Sequence, residues 1–313
     1  MTKPTVLMTG PYTEWDMPVM EQDYTLLKLW EADDRDAFIA RHAAQVRAIA
    51  TRGDLGASTQ LIAALPNLQI IGCFGVGTDG IDLEAARARG IRVTNTPDVL
   101  TEDVADLALG LMISITRKLS EGERHLRDGS WLKGSMPLAT RLWGKRIGIV
   151  GMGRIGQAVA RRAAAFSMEI AYFGRSARPE LPYAFVPGLV ELARRSDVLV
   201  ATLAGGAATK GLIDAAVFTA LGPEGYFVNV ARGSVVDEPA LIAALQSHRI
   251  KAAGLDVFLN EPHIDRRFLA LDNVMLQPHH GSGTVETRQA MGQLVRDNLA
   301  AHFVGRPLLT PVV

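Results

Sequence analysis

The chain has 313 residues, 48% of them hydrophobic and 21% charged, the make-up of a soluble globular protein of one or two domains. Lysine plus arginine and aspartate plus glutamate both total 33, so the formal charge is zero and no nucleic-acid or anionic-membrane partner is expected. Cys73 is the single cysteine, which excludes an intrachain disulfide and a cysteine-clustered metal site, and no metal is expected.

In chain order, TVLMTG, YTLLKLW, VRAIAT, LQIIGCFG and IRVTN read as strands. DRDAFIARHA and IDLEAARARG between them read as helices, and this alternation predicts a parallel α/β sheet. Cys73 falls in an apolar strand and reads as a buried, inert thiol. The stretch after Asp98 or Thr101 predicts a helix with Val104, Ala108, Leu111 and Met112 on one face. Residues 118–141 are mainly polar, with Trp131, and Trp143 just beyond, as large exceptions. That length is unusual for a connection and suggests an arm that packs on another subunit. RIGIVG, EIAYFG, VLVATL, GYFVNVA, AAGLDVF and VMLQPH then resume the strand pattern, and a last helix is predicted from Val285 to Val304. No stretch has transmembrane length and the N-terminus lacks the parts of a signal peptide, so the expected location is cytoplasmic.

The glycine fingerprint appears late. IGIVGMGRIG runs from a β-branched strand into Gly151, Gly153 and Gly156, and an alanine-rich helix follows. That order suits a dinucleotide pyrophosphate: one glycine for the turn, one for phosphate approach and one for helix–strand packing, ahead of a helix N-terminus. The next strand ends at Gly174, where NAD-binding units carry an acidic residue for the ribose. Here Arg175, Ser176 and Arg178 follow, a set suited to a phosphate, so NADPH/NADP is expected over NADH/NAD. Because an α/β unit precedes the fingerprint, two lobes are expected.

Three later strands end in polar groups: NVARG with Arg232, DVFLNEP with Glu261 and QPHHGSGT with His279 and His280. Arginine can hold a carboxylate and polarise its neighbouring carbonyl. Histidine can donate a proton near neutral pH, and a carboxylate beside it orients the ring and favours its charged form.

With FGVGTDGID, GMGRIG, NVARGSVVDEPAL, LDVFLNEP and PHHGSGT in this order, almost the whole chain resembles the D-isomer-specific 2-hydroxyacid dehydrogenases. The residues after Gly174 resemble the NADPH-using glyoxylate/hydroxypyruvate reductase branch. The resemblance implies two Rossmann-like and flavodoxin-like lobes with parallel sheets and an active site in the cleft between them. Residues 1–97 with 286–313 would form the substrate-binding domain, and 98–285 the dinucleotide-binding domain. It implies a catalytic set of Arg232, Glu261 and His279, with Val76, Gly77, Arg232 and His279 on the substrate. Cofactor contacts fall to Gly151, Gly153, Arg154, Ile155 and Gly156 in the glycine turn, and to Arg175, Ser176 and Arg178 beyond the second strand. Leu203, Ala231, Asp256 and Gly281 at later strand ends complete that set, with Asp256 near the nicotinamide carboxamide.

The implied reaction is reduction of small 2-keto acids such as glyoxylate and hydroxypyruvate to D-2-hydroxy acids by a homodimer. The alternatives are an NAD-linked enzyme for a larger substrate, and a non-catalytic NAD(P)-sensing protein of the same fold. Three features depart from the family pattern: His280 in place of an apolar residue, Ala204 and Ala207 in place of prolines, and the residues between Trp131 and Trp143.

Overall fold

The computed structural model describes residues 3–313; Met1 and Thr2, where the first expected domain begins, lie outside the described residues. The chain runs through β1 (Thr5–Met8), α1 (Asp16–Asp23), β2 (Thr25–Lys28), α2 (Arg35–His42), β3 (Val46–Arg52), α3 (Thr59–Ala64), β4 (Ile70–Phe74), α4 (Leu83–Ala88) and β5 (Arg92–Thr94). Next come α5 (Thr101–Arg117), α6 (Leu119–Arg127), β6 (Arg146–Val150), α7 (Arg154–Ala165), β7 (Glu169–Phe173) and β8 (Ala184–Phe185). The remainder is α8 (Leu189–Arg195), β9 (Val198–Ala201), α9 (Ala215–Leu221), β10 (Tyr226–Asn229), α10 (Glu238–Gln246), β11 (Ala252–Leu255), β12 (Val274–Leu276) and α11 (Val285–Phe303).

Two compact units result, one running to Leu100 and resuming at Ser282–Val313, the other Thr101–Gly281. The division follows whole helices. It assigns all of α5 to the second unit and all of α11, with its Thr284 cap, to the first. A break after residue 285, as the sequence suggests, would cut the first turn of α11.

In the first unit, five parallel strands lie in the order β2-β1-β3-β4-β5. Ile70, Ile71 and Cys73 of β4 are all fully buried, as a parallel strand covered on both faces requires. Gly72 lets α11 approach: a Cβ there would lie 3.2 Å from Val295. The α11 residue Arg296 also forms an ion pair with buried Asp16 of α1.

In the second unit, seven parallel strands lie in the order β12-β11-β10-β9-β6-β7-β8. This is the doubly wound order, reversing direction between β6 and β9, and ligands bind at the carboxyl ends beside such a switch. The core comes from apolar strand residues such as Val150, Leu199, Phe227 and Leu255, packed against Phe218, Leu241 and Phe268. Helix α5 buries Val104, Ala108, Leu111 and Met112, the face read from its periodicity. Strands β6 and β9 are tied at their starts by Asp197, which accepts hydrogen bonds from the Arg146 backbone at 2.8 Å and its guanidinium at 2.7 and 3.1 Å. No helix among the described residues is long and apolar enough to cross a membrane.

Candidate active site

Each glycine of the fingerprint has a separate steric reason. Gly151 has a φ of 101°, and a Cβ there would lie 2.8 Å from the Leu203 backbone. A Cβ on Gly156 would lie 2.1 Å from the Gly151 carbonyl oxygen, so only hydrogen lets α7 start this close to β6. A Cβ on Gly153 would meet nothing within 4 Å, and Gly153 begins α7 with no side-chain cap. Free space and uncapped N–H groups at a helix start fit an anionic pyrophosphate. Thr202 braces the turn by donating to the Gly151 carbonyl at 2.6 Å. Arg154 and Ile155 open α7, exposed and half-buried respectively.

Beyond β7, Arg175, Ser176 and Arg178 are exposed, and neither guanidinium pairs with a carboxylate of the described chain. The loop is fixed where the Arg178 N–H donates to the Tyr172 hydroxyl at 2.6 Å. Gly174 offers no side chain to oppose a phosphate.

Arg232, Glu261 and His279 follow β10, β11 and β12, three adjacent parallel strands, and so lie at one sheet edge. His279 Nδ1 donates to Glu261 Oε2 at 2.5 Å. A carboxylate oxygen accepts, so Nδ1 carries hydrogen and the exchangeable position of the ring is Nε2. Glu261 Oε1 accepts from the Phe258 N–H at 2.8 Å, so both its oxygens are directed. Arg232 is half-buried and donates from Nη1 to the Ala231 carbonyl at 2.7 Å. Its turn is gripped by Asn229, which accepts from the buried Ala231 N–H and donates to the Arg232 carbonyl, both at 3.0 Å. Gly233 then packs against the Phe258–Leu259 peptide, where a Cβ would fall 1.9 Å from the Phe258 carbonyl carbon.

Asp256 has a part that the sequence does not suggest. It is 2% exposed, and its two oxygens accept from the His280 N–H at 2.6 Å and the Gly281 N–H at 2.9 Å. Burial pushes its carboxyl above the usual range, against the pull of those N–H groups and of His279. The buried carboxylate thus holds the loop on which His279 stands, with Gly281 buried beside it. His280 contributes its backbone and keeps its side chain exposed.

In the first unit, Val76 and Gly77 follow β4. Their carbonyls are engaged by Asn95 Nδ2 at 2.8 Å and the Cys73 thiol at 3.6 Å, while their N–H groups donate to no described atom. Two such donors suit a carboxylate. No group of three metal-ligating side chains occurs among the described residues.

A sequence profile described as D-isomer specific 2-hydroxyacid dehydrogenase, NAD binding domain, matches residues 109–281. The chain belongs to this family. The glyoxylate/hydroxypyruvate reductase A of Arabidopsis thaliana is 47% identical over 308 residues, 98% of each chain. The 2-ketogluconate reductase of Gluconobacter oxydans is 44% identical over 312 residues, 100% of this chain and 99% of that one. Among solved structures, an NADPH-dependent glyoxylate/hydroxypyruvate reductase from Sinorhizobium meliloti, in complex with NADP and malonate, superposes with a TM-score of 0.93. It is 43% identical and covers 100% of this chain and 97% of that one. The protein is therefore a two-sheet α/β oxidoreductase of the 2-hydroxyacid dehydrogenase family. Thr202, Asn229 and the loop-holding role of Asp256 are the site features that sequence reading missed; for Asn229 the signal was its place at the head of NVARG.

Proposed function

We propose that this 2-hydroxyacid dehydrogenase reduces small 2-keto acids, glyoxylate and hydroxypyruvate foremost, to D-2-hydroxy acids, with NADPH preferred over NADH. The observation that carries the reading is the His279–Glu261 pair, set with Arg232 on one edge of the sheet whose switch point holds the glycine turn. The nicotinamide dinucleotide supplies hydride when bound. The turn at Gly151, Gly153, Arg154, Ile155 and Gly156, with Leu203, Ala231 and Gly281 at neighbouring strand ends, would hold it, and Arg175, Ser176 and Arg178 would hold its extra phosphate. Arg232 binds the substrate carboxylate and stabilises the keto oxygen as negative charge grows there. His279 gives the Nε2 proton to that oxygen, and Glu261 fixes the ring's tautomer and direction. In the first unit, the Val76 and Gly77 N–H groups would suit a carboxylate.

Initial rates on glyoxylate and hydroxypyruvate with each cofactor test the reading. NADPH is expected to give the higher kcat/KM. Arg175→Ala is expected to lower kcat/KM for NADPH by roughly tenfold to a hundredfold, about 1.5–3 kcal/mol for one charge-assisted contact, and to leave NADH use nearly unchanged. Equal losses with both cofactors would remove the phosphate assignment. Higher kcat/KM on 2-ketogluconate than on either small acid would move the substrate to the larger class. Binding of NADPH with no turnover on any 2-keto acid would leave a nucleotide-sensing protein.

The reading includes a cytoplasmic homodimer. Its support is the segment after α6, where Trp131 is 66%, Leu132 94% and Leu138 97% exposed, an apolar set unusual for a free surface. Sedimentation at the 33.7 kDa mass of one chain at micromolar concentration would contradict the dimer.

A further inference from the structure

Glu238 is a buried acid that the mechanism above leaves unused. It is the first residue of α10, 8% exposed, and six residues beyond Arg232. The N-cap duty belongs to its neighbour Asp237, whose carboxylate accepts from the Ala240 N–H at 3.1 Å. Glu238 instead reaches out of the helix and accepts from the Leu259 N–H through Oε2 at 2.9 Å. The N–H one residue earlier, on Phe258, is the one that anchors Glu261. Two consecutive amides of one turn are thus held by two different carboxylates. Gly233 closes the same turn from below, because only a residue without Cβ fits against Phe258 and Leu259. The connected path runs from Glu238 to Leu259, through the Phe258 peptide to Glu261, and on to His279 Nδ1.

From this path we infer that Glu238 is a positioning residue for proton delivery, fixing the 258–261 turn so that Glu261 can aim the His279 ring. The inference rests on the reading of Glu261 and His279 given above. A turn held on one side by a glycine contact alone could slide, and displacement by about an ångström would carry the Glu261–His279 pair out of hydrogen-bonding range. A buried carboxylate is an expensive way to fill space, and this one spends its hydrogen-bonding capacity on a single amide next to the functional turn. Burial raises its carboxyl above the usual range. Asp265 and Glu261 push it the same way, while the Leu259 N–H and Arg267 oppose them. The acceptor oxygen persists whether the group is ionised or protonated, so the clamp depends on the acceptor and not on the charge.

The test compares Glu238→Ala, Glu238→Gln and Glu261→Gln, singly and combined, by kcat, KM and NADPH affinity. Glu238→Ala is expected to lower kcat about tenfold to a hundredfold, the size typical of groups that orient another ligand or base, with KM and NADPH affinity little changed. Glu238→Gln retains a carbonyl acceptor and is expected to keep kcat within about threefold. Adding Glu238→Ala to the Glu261→Gln protein is expected to cost almost nothing further, since both act through one path. Should the alanine variant not fold, Glu238→Met fills the volume without an acceptor and is read in the same way. Full kcat in the folded Ala or Met variant, an equal loss in the Gln variant, or additive losses in the combined variant would each overturn the inference. If Glu261→Gln itself kept full activity, it is the proton-delivery reading that would fall.

Discussion

His279 stands in the left-handed region of backbone space, with a φ of 52°, a conformation costing a side-chain-bearing residue of order 1–3 kcal/mol. The cost is offset where Asp256 grips the next two N–H groups, and the result is a ring held at Nδ1 with Nε2 left for chemistry. His279→Ala is expected to lower kcat by roughly 10²–10⁴-fold with NADPH affinity preserved. His280→Ala removes an exposed ring and keeps the N–H that Asp256 holds, so its activity should stay within about twofold of the parent protein. The reverse order in steady-state assays would assign proton transfer to His280. The glycines make an equally sharp pair. Gly156→Ala drives a methyl into the Gly151 carbonyl and is expected to lower stability by about 1–3 kcal/mol in urea melts. Gly153→Ala meets no protein atom, so its urea midpoint should match the parent's while NADPH affinity falls about tenfold or more, ~1.4 kcal/mol. Unchanged affinity in Gly153→Ala would mean that phosphates do not approach there.

Among the elements, Asp197 joins the starts of β6 and β9, the strands flanking the switch point. Hydrogen bonding to Arg146, above all, holds its carboxyl below the usual value. A lowered folded-state value means that the bond's contribution is complete above the ordinary carboxylate range and is lost as pH falls through the lowered value. Asp197→Asn is expected to cost about 1 kcal/mol at pH 7, a modest figure because the pair is partly exposed. The difference from the parent in urea melts should hold down to about pH 4 and close below it. A difference that widened on acidification would contradict the assignment. Most strands were legible because they are apolar and β-branched, as at Ile147, Ile149 and Val150. The structure adds β8, only Ala184–Phe185, too short to show a pattern. It also adds α1, whose DMPVMEQD carries a proline and buries only Asp16 and Met20. The site divides in a similar way. Gly151, Arg232, Glu261 and His279 were readable because each belongs to an ordered local motif. The loop-holding role of Asp256 and the clamp at Glu238 were not, because what they hold are amides more than twenty residues away, and no local spacing encodes that.

For the whole molecule, cofactor and stability are linked. A ligand that binds only the folded protein stabilises it by about 2.7 kcal/mol at a hundred times its Kd, so NADPH should raise the melting temperature more than NADH at equal concentration. Equal shifts would argue against a phosphate-selective site. The first unit is discontinuous in sequence: Val295 and Leu299 of α11 cover Gly72 of β4, and Val93 of β5 donates its N–H to the Val313 carbonyl and accepts from the Val312 N–H. During synthesis, β1–β5 must therefore wait for α11 and residues 312–313, made after the whole second unit, before their sheet is covered. The second unit has its entire sequence available earlier. Chains stalled or truncated before α11 should be cut by protease between residues 3 and 100 while Thr101–Gly281 resists. The vulnerable stage in this protein's synthesis would then belong to residues 3–100, which are made before the second unit and covered after it.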